Sequence, residues 1–135
     1  MPAANALLFL RAAGEVRPLF LKHAGDRVTL TQAVVLMAVC EKPGVKQTDL
    51  IEATGVDRST LSAMLVRMQS AGLITMARDP ENLRAVLVTP TLSGKNVRKM
   101  AAAALDKTGR ELMARVSGGK MPAMLTGLME VVNGR

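Results

Sequence analysis

The feature that most restricts the fold is a three-residue interruption, Gly55-Val56-Asp57, between two short stretches of helical periodicity. Residues 47–54 read as a short helix with Leu50, Ile51 and Ala53 facing inward. Gly55 supplies the left-handed backbone that closes such a helix. Asp57 is a good N-cap for the next helix, residues 58–71, on which Leu61, Met64, Leu65 and Met68 follow one face until Gly72 ends it. A helix stopped and restarted this quickly, with an apolar stripe on each half, matches the helix-turn-helix. Leu50, Gly55, Val56, Leu61 and Met64 fall where that motif needs core, turn and core.

The flanking segments complete the organisation. Leu8, Ala12, Val16, Leu19 and Phe20 lie at helical spacing within residues 2–23, where Pro18 predicts either a kink near Arg17 or two shorter helices. Gly25-Asp26-Arg27 forms a loop, and Thr29 or Thr31 caps a second helix over 32–40 that ends at Pro43-Gly44. Beyond Gly72, residues 73–78 and 85–89 are rich in β-formers, and the 79–84 stretch between them has the proline and Asx residues of a hairpin loop, which makes a wing. Val97, Ala101, Leu105, Thr108, Leu112 and Val116 then mark a long helix from Thr91, interrupted at Ser117-Gly118-Gly119. A last helix starts around Pro122 and carries Met121, Met124, Leu125, Leu128, Met129 and Val132 on one side.

Composition narrows the function. The 135 residues (14.3 kDa) suit one domain, here 1–135, with 49% hydrophobic and 21% charged residues. A lone cysteine, Cys40, excludes both a disulfide-stapled secreted scaffold and a Cys-rich zinc finger, so a reducing cytoplasm is expected and no metal or other cofactor. Two phenylalanines, with no Trp or Tyr, remove the stacking platforms of single-strand and RNA binders. The apolar run Ala6–Leu10 fits neither a signal peptide nor a membrane span. A net charge of +7 suits a polyanionic partner, yet residues 45–94 are neutral, with +2 at 1–44 and +5 at 95–135.

The order of elements resembles the multiple-antibiotic-resistance regulator (MarR) family of winged-helix transcription factors. The resemblance is carried by Gly55-Val56-Asp57-Arg58-Ser59-Thr60-Leu61-Ser62, by Met68-Gln69-Ser70-Ala71-Gly72-Leu73-Ile74, and by the run from Arg78 through Arg84 to Val88. It implies a mainly α (α+β) fold: a winged helix-turn-helix with a two-stranded β-wing at 29–90, flanked by dimerisation helices at 1–24 and 91–135. Two positions depart from the family wing, where an acid precedes the arginine and a leucine follows. Here Asn82 and Pro90 occupy them. Asn82 can hydrogen-bond but carries no charge.

A recognition helix fits the major groove of B-DNA, so its exposed N-terminal side chains meet base edges. Those are Arg58, Ser59, Thr60, Ser62 and, a turn later, Arg67. Arg58 or Arg67 can hold a guanine by two hydrogen bonds, worth roughly 1–3 kcal/mol of discrimination. Ser59, Thr60 and Ser62 suit phosphates or waters. Arg84 at the wing tip suits the minor groove, with a surface salt bridge to Asp79 or Glu81 as the plain alternative. Lys46, Gln47 and Thr48 open a helix whose free N–H groups suit a phosphate, and Lys95, Arg98 and Lys99 suit flanking backbone.

One helix-turn-helix makes few contacts, so a twofold homodimer on a pseudo-palindrome is expected. The resemblance implies that the first and last two helices interlock through Leu7, Leu8, Leu10, Leu112, Val116, Met124, Leu125 and Leu128. It also implies a cleft for a small apolar or weakly acidic effector. Catalysis is not expected, because His23 is the only histidine. Cys40, at the end of an apolar helix, reads as a small buried hydrophobe rather than a redox sensor. The resulting reading is a sequence-specific, ligand-responsive repressor of transcription. The alternative is a winged-helix dimer that binds another protein and no longer reads an operator.

Overall fold

Pro18 decides how the chain begins. A proline cannot donate to the carbonyl four residues back and clashes with it, so a helix must be interrupted near Gly14. In the computed structural model, which describes residues 1–134, the break falls there: α1 spans Pro2–Gly14, α2 spans Val16–Ala24, and Glu15 joins them. The break thus precedes the expected position at Arg17, and Pro18 sits in the first turn of α2, where no intrahelical N–H bond is required.

Thr29, not Thr31, caps α3 (Leu30–Glu41). Its hydroxyl accepts from the Gln32 amide at 3.1 Å while the Gln32 side chain accepts from the Thr29 amide at 3.1 Å, a reciprocal capping box. A two-residue strand, β1 (Val45–Lys46), leads into α4 (Gln47–Thr54). Gly55 at φ 71° ends α4 and Asp57 starts α5 (Arg58–Ser70). Strands β2 (Ile74–Asp79) and β3 (Asn82–Pro90) form the wing hairpin. A long helix α6 (Leu92–Ala114) and α7 (Met121–Asn133) complete the chain.

The wing is the expected hairpin, and β1 adds a third, antiparallel strand on the outer side of β3, pairing Val45 with Val88. Sequence periodicity did not reveal β1, because two residues carry no alternation to read. The hairpin is also tighter than expected. Asp79 pairs with Asn82, so the turn is Pro80-Glu81 alone, with an irregularity between Arg78 and Asp79.

Two cores result. Val35, Leu36, Val39, Leu50, Leu61, Leu65, Met68, Ile74 and Val88 fill the winged head. Phe20, Ala24, Val28, Ala33, Ala101 and Ala104 join α2 and α3 to the middle of α6, where alanines let the helices approach closely. Ala53, expected to face inward, is exposed: α4 buries only Leu50 fully. Thr108 is buried in the α6 stripe and satisfies its hydroxyl by donating to the Ala104 carbonyl at 2.8 Å.

The head and α6 meet at a tight joint. The α5–β2 corner closes as a Schellman turn, with the Leu73 amide donating to the Met68 carbonyl at 3.0 Å. Thr91 donates its hydroxyl to the Gly72 carbonyl at 2.6 Å and its amide to the Leu73 carbonyl at 3.0 Å. Gly94 then lies so close that a Cβ there would stand 2.0 Å from the Leu73 oxygen.

Candidate nucleic-acid interface

The head presents α5 by burying one side of it. Leu61, Met64, Leu65 and Met68 anchor the inner face, so the opposite face must meet solvent. The start of α5 is fixed by its cap: the Asp57 carboxylate accepts from the Thr60 amide at 3.0 Å. Hydrogen bonds from Thr60 hold the Asp57 carboxyl below its ordinary value, so the cap is ionised at neutral pH and complements the helix dipole. Arg58, Ser59, Thr60 and Arg67 are all exposed.

Two expected contact residues are already engaged within the fold. Gln47 donates through Nε2 to the Ser62 hydroxyl at 2.8 Å, a half-buried bond that pins the start of α4 to α5. Their first role here is to set the angle between the two helices of the motif. Thr48 stays exposed beside them, and among the described residues no side-chain cap bond closes the N-terminus of α4 at Lys46. Its first amides are therefore available to a phosphate.

Sequence reasoning missed the apolar members of the exposed face of α5. Ala63 and Val66 point outward, with Val66 58% exposed. Their spacing from Ser59, four and then three residues, was the signal that places them on that face. Small apolar groups in a major groove suit the methyl of thymine, so the face combines guanidinium donors with apolar contacts.

The wing tip is braced by its own polar side chains. Asp79 accepts from the Glu81 amide at 2.9 Å, Asn82 accepts from the Arg84 amide at 3.2 Å, and Arg78 donates to the Leu83 carbonyl at 2.7 Å. Asn82 thus holds the backbone of Arg84 rather than its guanidinium. Arg84 is exposed and, among the described residues, forms no ion pair with Asp79 or Glu81. Lys95 lies apart from this tip, one turn into α6, grouped with Arg98 and Lys99 against the end of α3.

The expected dimer residues occupy a different surface. Leu7, Leu8 and Leu10 of α1 are 60–69% exposed, and Met124, Leu125 and Leu128 of α7 are 39–45% exposed. Leu112 and Val116 are half-buried. No residue of α1 or α7 is buried.

Comparison with known proteins agrees with this arrangement. Residues 28–85 match a family model described as MarR family. The chain is 30% identical over 129 residues to the transcriptional regulator HosA of Escherichia coli O111:H-, covering 91% of this chain and 96% of HosA. The chain belongs to the MarR family. These proteins are DNA-binding regulators of transcription, not enzymes. The fold is shared with other MarR-family structures. BpsR of Bordetella bronchiseptica, whose DNA binding is regulated by 6-hydroxynicotinic acid, superposes with a TM-score of 0.87 at 22% identity, over 95% of this chain and 92% of that one. A MarR variant from E. coli bound to operator DNA gives a TM-score of 0.84 at 20% identity, over 93% and 91% of the two chains. Among the described residues, no helix is long and apolar enough to cross a membrane.

Proposed function

We propose that this MarR-family chain acts as a homodimeric repressor that reads a pseudo-palindromic duplex operator and is released by a small effector. The observation that carries the reading is a set of exposed arginines on rigid supports: Arg58 and Arg67 on an anchored α5, and Arg84 on a braced wing tip. In it, α5 enters the major groove, Arg58 or Arg67 reads guanine, and Ser59 and Thr60 meet phosphate or water. Ser62 reaches the same surface with the proton it does not need for Gln47. Arg84 follows the minor groove, while Thr48 and the α4 amides hold the backbone. The neutral head leaves nonspecific attraction to the rims, Lys95 among them.

Residues 29–90 serve as the reading head and 1–24 with 91–135 as dimerisation arms. Leu7, Leu8, Leu10, Leu112, Val116, Met124, Leu125 and Leu128 supply the shared surface, and its apolar character supports the pairing. A cavity of about 310 Å³ lined by Arg17, Phe20, Leu21, Asp26 and Leu30 suits an effector with a flat apolar body and one acidic group that meets Arg17 and keeps clear of Asp26. It lies beside the α2–α3 loop, where occupancy would shift the arms relative to the heads.

Selection of bound duplexes from a random pool tests this directly. An inverted repeat with half-sites about one helical turn apart is expected. Arg84→Ala should weaken binding about tenfold across sequences and reduce the slope of affinity against salt by about one. Salt-insensitive association with a protein partner and no duplex preference would overturn the reading.

A further inference from the structure

We infer that the cleft between the C-terminal turn of α3 and the N-terminal turns of α6 is a binding site for a small free polyoxyanion, of the phosphoryl or polycarboxylate class. The cleft is open, about 610 Å³, and is lined by Met37, Cys40 and Glu41 from α3 and by Lys95, Arg98 and Lys99 from α6. Three cations face one carboxylate there, and none of the four takes part in an ion pair among the described residues. Cations this close repel one another, and a bound polyoxyanion replaces that repulsion with charge-assisted hydrogen bonds.

Arg98 supplies a second observation. Its Nε is enclosed by the protein yet makes no hydrogen bond among the described residues. A buried donor without a partner is costly, and Nε of the half-buried Arg98 is such a donor. An oxyanion that draws the side chain outward relieves this and meets the fork of donors that arginine offers. Lys95 and Lys99 then act as point charges on the remaining oxygens. Two further facts fit. The positive field reaches Cys40 in the lining: burial holds its thiol above the ordinary value, and Arg98 and then Lys95 offset part of that rise. The first-turn amides of α6 are meanwhile partly committed, since Gly94 donates to the Thr91 hydroxyl and Lys95 to the Thr91 carbonyl. Recognition therefore rests on side chains, and the Met37 wall leaves room for an apolar substituent on the anion.

This site is separate from the cavity at Arg17 but shares Lys95 with the rim assigned to DNA above, so the test is made with free anion and with duplex in separate arms. Cys40 provides a built-in reporter, because it lines the cleft and is the chain's one cysteine. Alkylation of Cys40 by neutral iodoacetamide is followed while inorganic pyrophosphate is titrated in, with sodium chloride at matched ionic strength as reference and no DNA present. Saturable slowing is expected with pyrophosphate and not with chloride. Lys99→Gln and Arg98→Gln should each raise the half-saturating concentration about tenfold. The exposed Lys99 serves as the decisive variant if Arg98→Gln disturbs folding, as checked by thermal melting. Slowing that follows ionic strength alone, or that Lys99→Gln leaves unchanged, overturns the site. A third arm replaces pyrophosphate with a short random duplex at equal phosphate concentration. Protection by duplex but not by pyrophosphate assigns these cations to DNA backbone and also overturns it.

Discussion

The winged head and the terminal arms are built from equally apolar sequence but end in opposite states. In the head, Leu50, Leu61, Leu65 and Met68 are at most 1% exposed, and each is enclosed by neighbours from the same chain. In the arms, Leu8 and Leu10 of α1 and Leu125 and Leu128 of α7 remain between 41% and 69% exposed. Apolar content alone therefore does not say where a core forms. In the head, turns at Gly55 and Gly72 fold each stripe back onto another stripe. In the arms, α2 and α6 close on each other through Phe20, Ala24, Ala101 and Ala104, but α1 and α7 bury no residue among those described, and these are the faces assigned to a second copy in the function proposed above.

Charge placed on the arms should break this contrast most strongly. In a twofold interface each substitution is counted twice, and an unpaired buried charge costs several kcal/mol. Leu8→Glu combined with Leu125→Glu should therefore raise the dimer dissociation constant at least about a thousandfold, roughly 4 kcal/mol. Analytical ultracentrifugation measures this, while the amide exchange of the head core should stay protected. Loss of that protection would show that the arms are required to fold the head itself.

Truncation in the head should be next in size and of another kind. Leu61→Ala removes a fully enclosed side chain from the inner face of α5, opposite the exposed face that carries the recognition residues. Urea denaturation should show a loss of about 2–5 kcal/mol. Leu10→Ala, at 69% exposure in the isolated protomer, should change protomer stability by less than about 0.5 kcal/mol. Equal losses at the two positions would remove the distinction between a closed core and an open face.

How much of this was legible in sequence follows from the range of the interactions involved. The helix-turn-helix and the stripe of Leu61, Met64, Leu65 and Met68 are marked by turn chemistry and spacing within a few residues, so sequence reports them well even though the stripe is buried against distant Val35, Leu36 and Val88. Gly55 and Asp57 act where the sequence placed them for the same reason. The bond from Gln47 to Ser62 spans 15 positions and needs the packed angle between α4 and α5, so no local pattern announces it. Strand β1 exists because Val45 meets Val88, again a distant pairing. At the wing tip the polar residues resembled a loop, yet Asp79 pairs with Asn82 as strand; the tip meets water, so no apolar alternation marks it in the sequence. Arg84 was visible as an exposed cation; that Asn82 steadies its backbone was not.

The joint between the two regions predicts a smaller effect. Gly94→Ala places a methyl group against a backbone oxygen that cannot turn aside, so α6 must shift on the head. A loss of about 1–3 kcal/mol in denaturation is expected. Duplex affinity should fall as well, because the arms then hold the heads at an altered separation. Unchanged affinity beside reduced stability would mean that the joint sets stability alone and leaves head spacing to the dimer surface.

The smallest effects are electrostatic, and they separate head from arm by mechanism. Glu111 on α6 accepts from Lys22 at 3.0 Å and contacts His23 at 2.7 Å, tying α2 to α6, and these bonds, Lys22 first, hold its carboxyl below the usual value. Asp57 is lowered by Thr60 at the cap of α5. Both folded values lie below the unfolded ones. Each group therefore stabilises the fold above about pH 4, and that stabilisation disappears as pH falls through the folded value. Asp57→Asn and Glu111→Gln should each flatten the acid limb of a stability–pH curve. Salt then distinguishes them. The exposed ion pair of Glu111 is screened, so its share should shrink as ionic strength rises, whereas the short cap bond at Asp57 should keep most of its effect. Equal salt sensitivity at the two sites would show that charge, and not the local hydrogen bond, secures the start of the recognition helix.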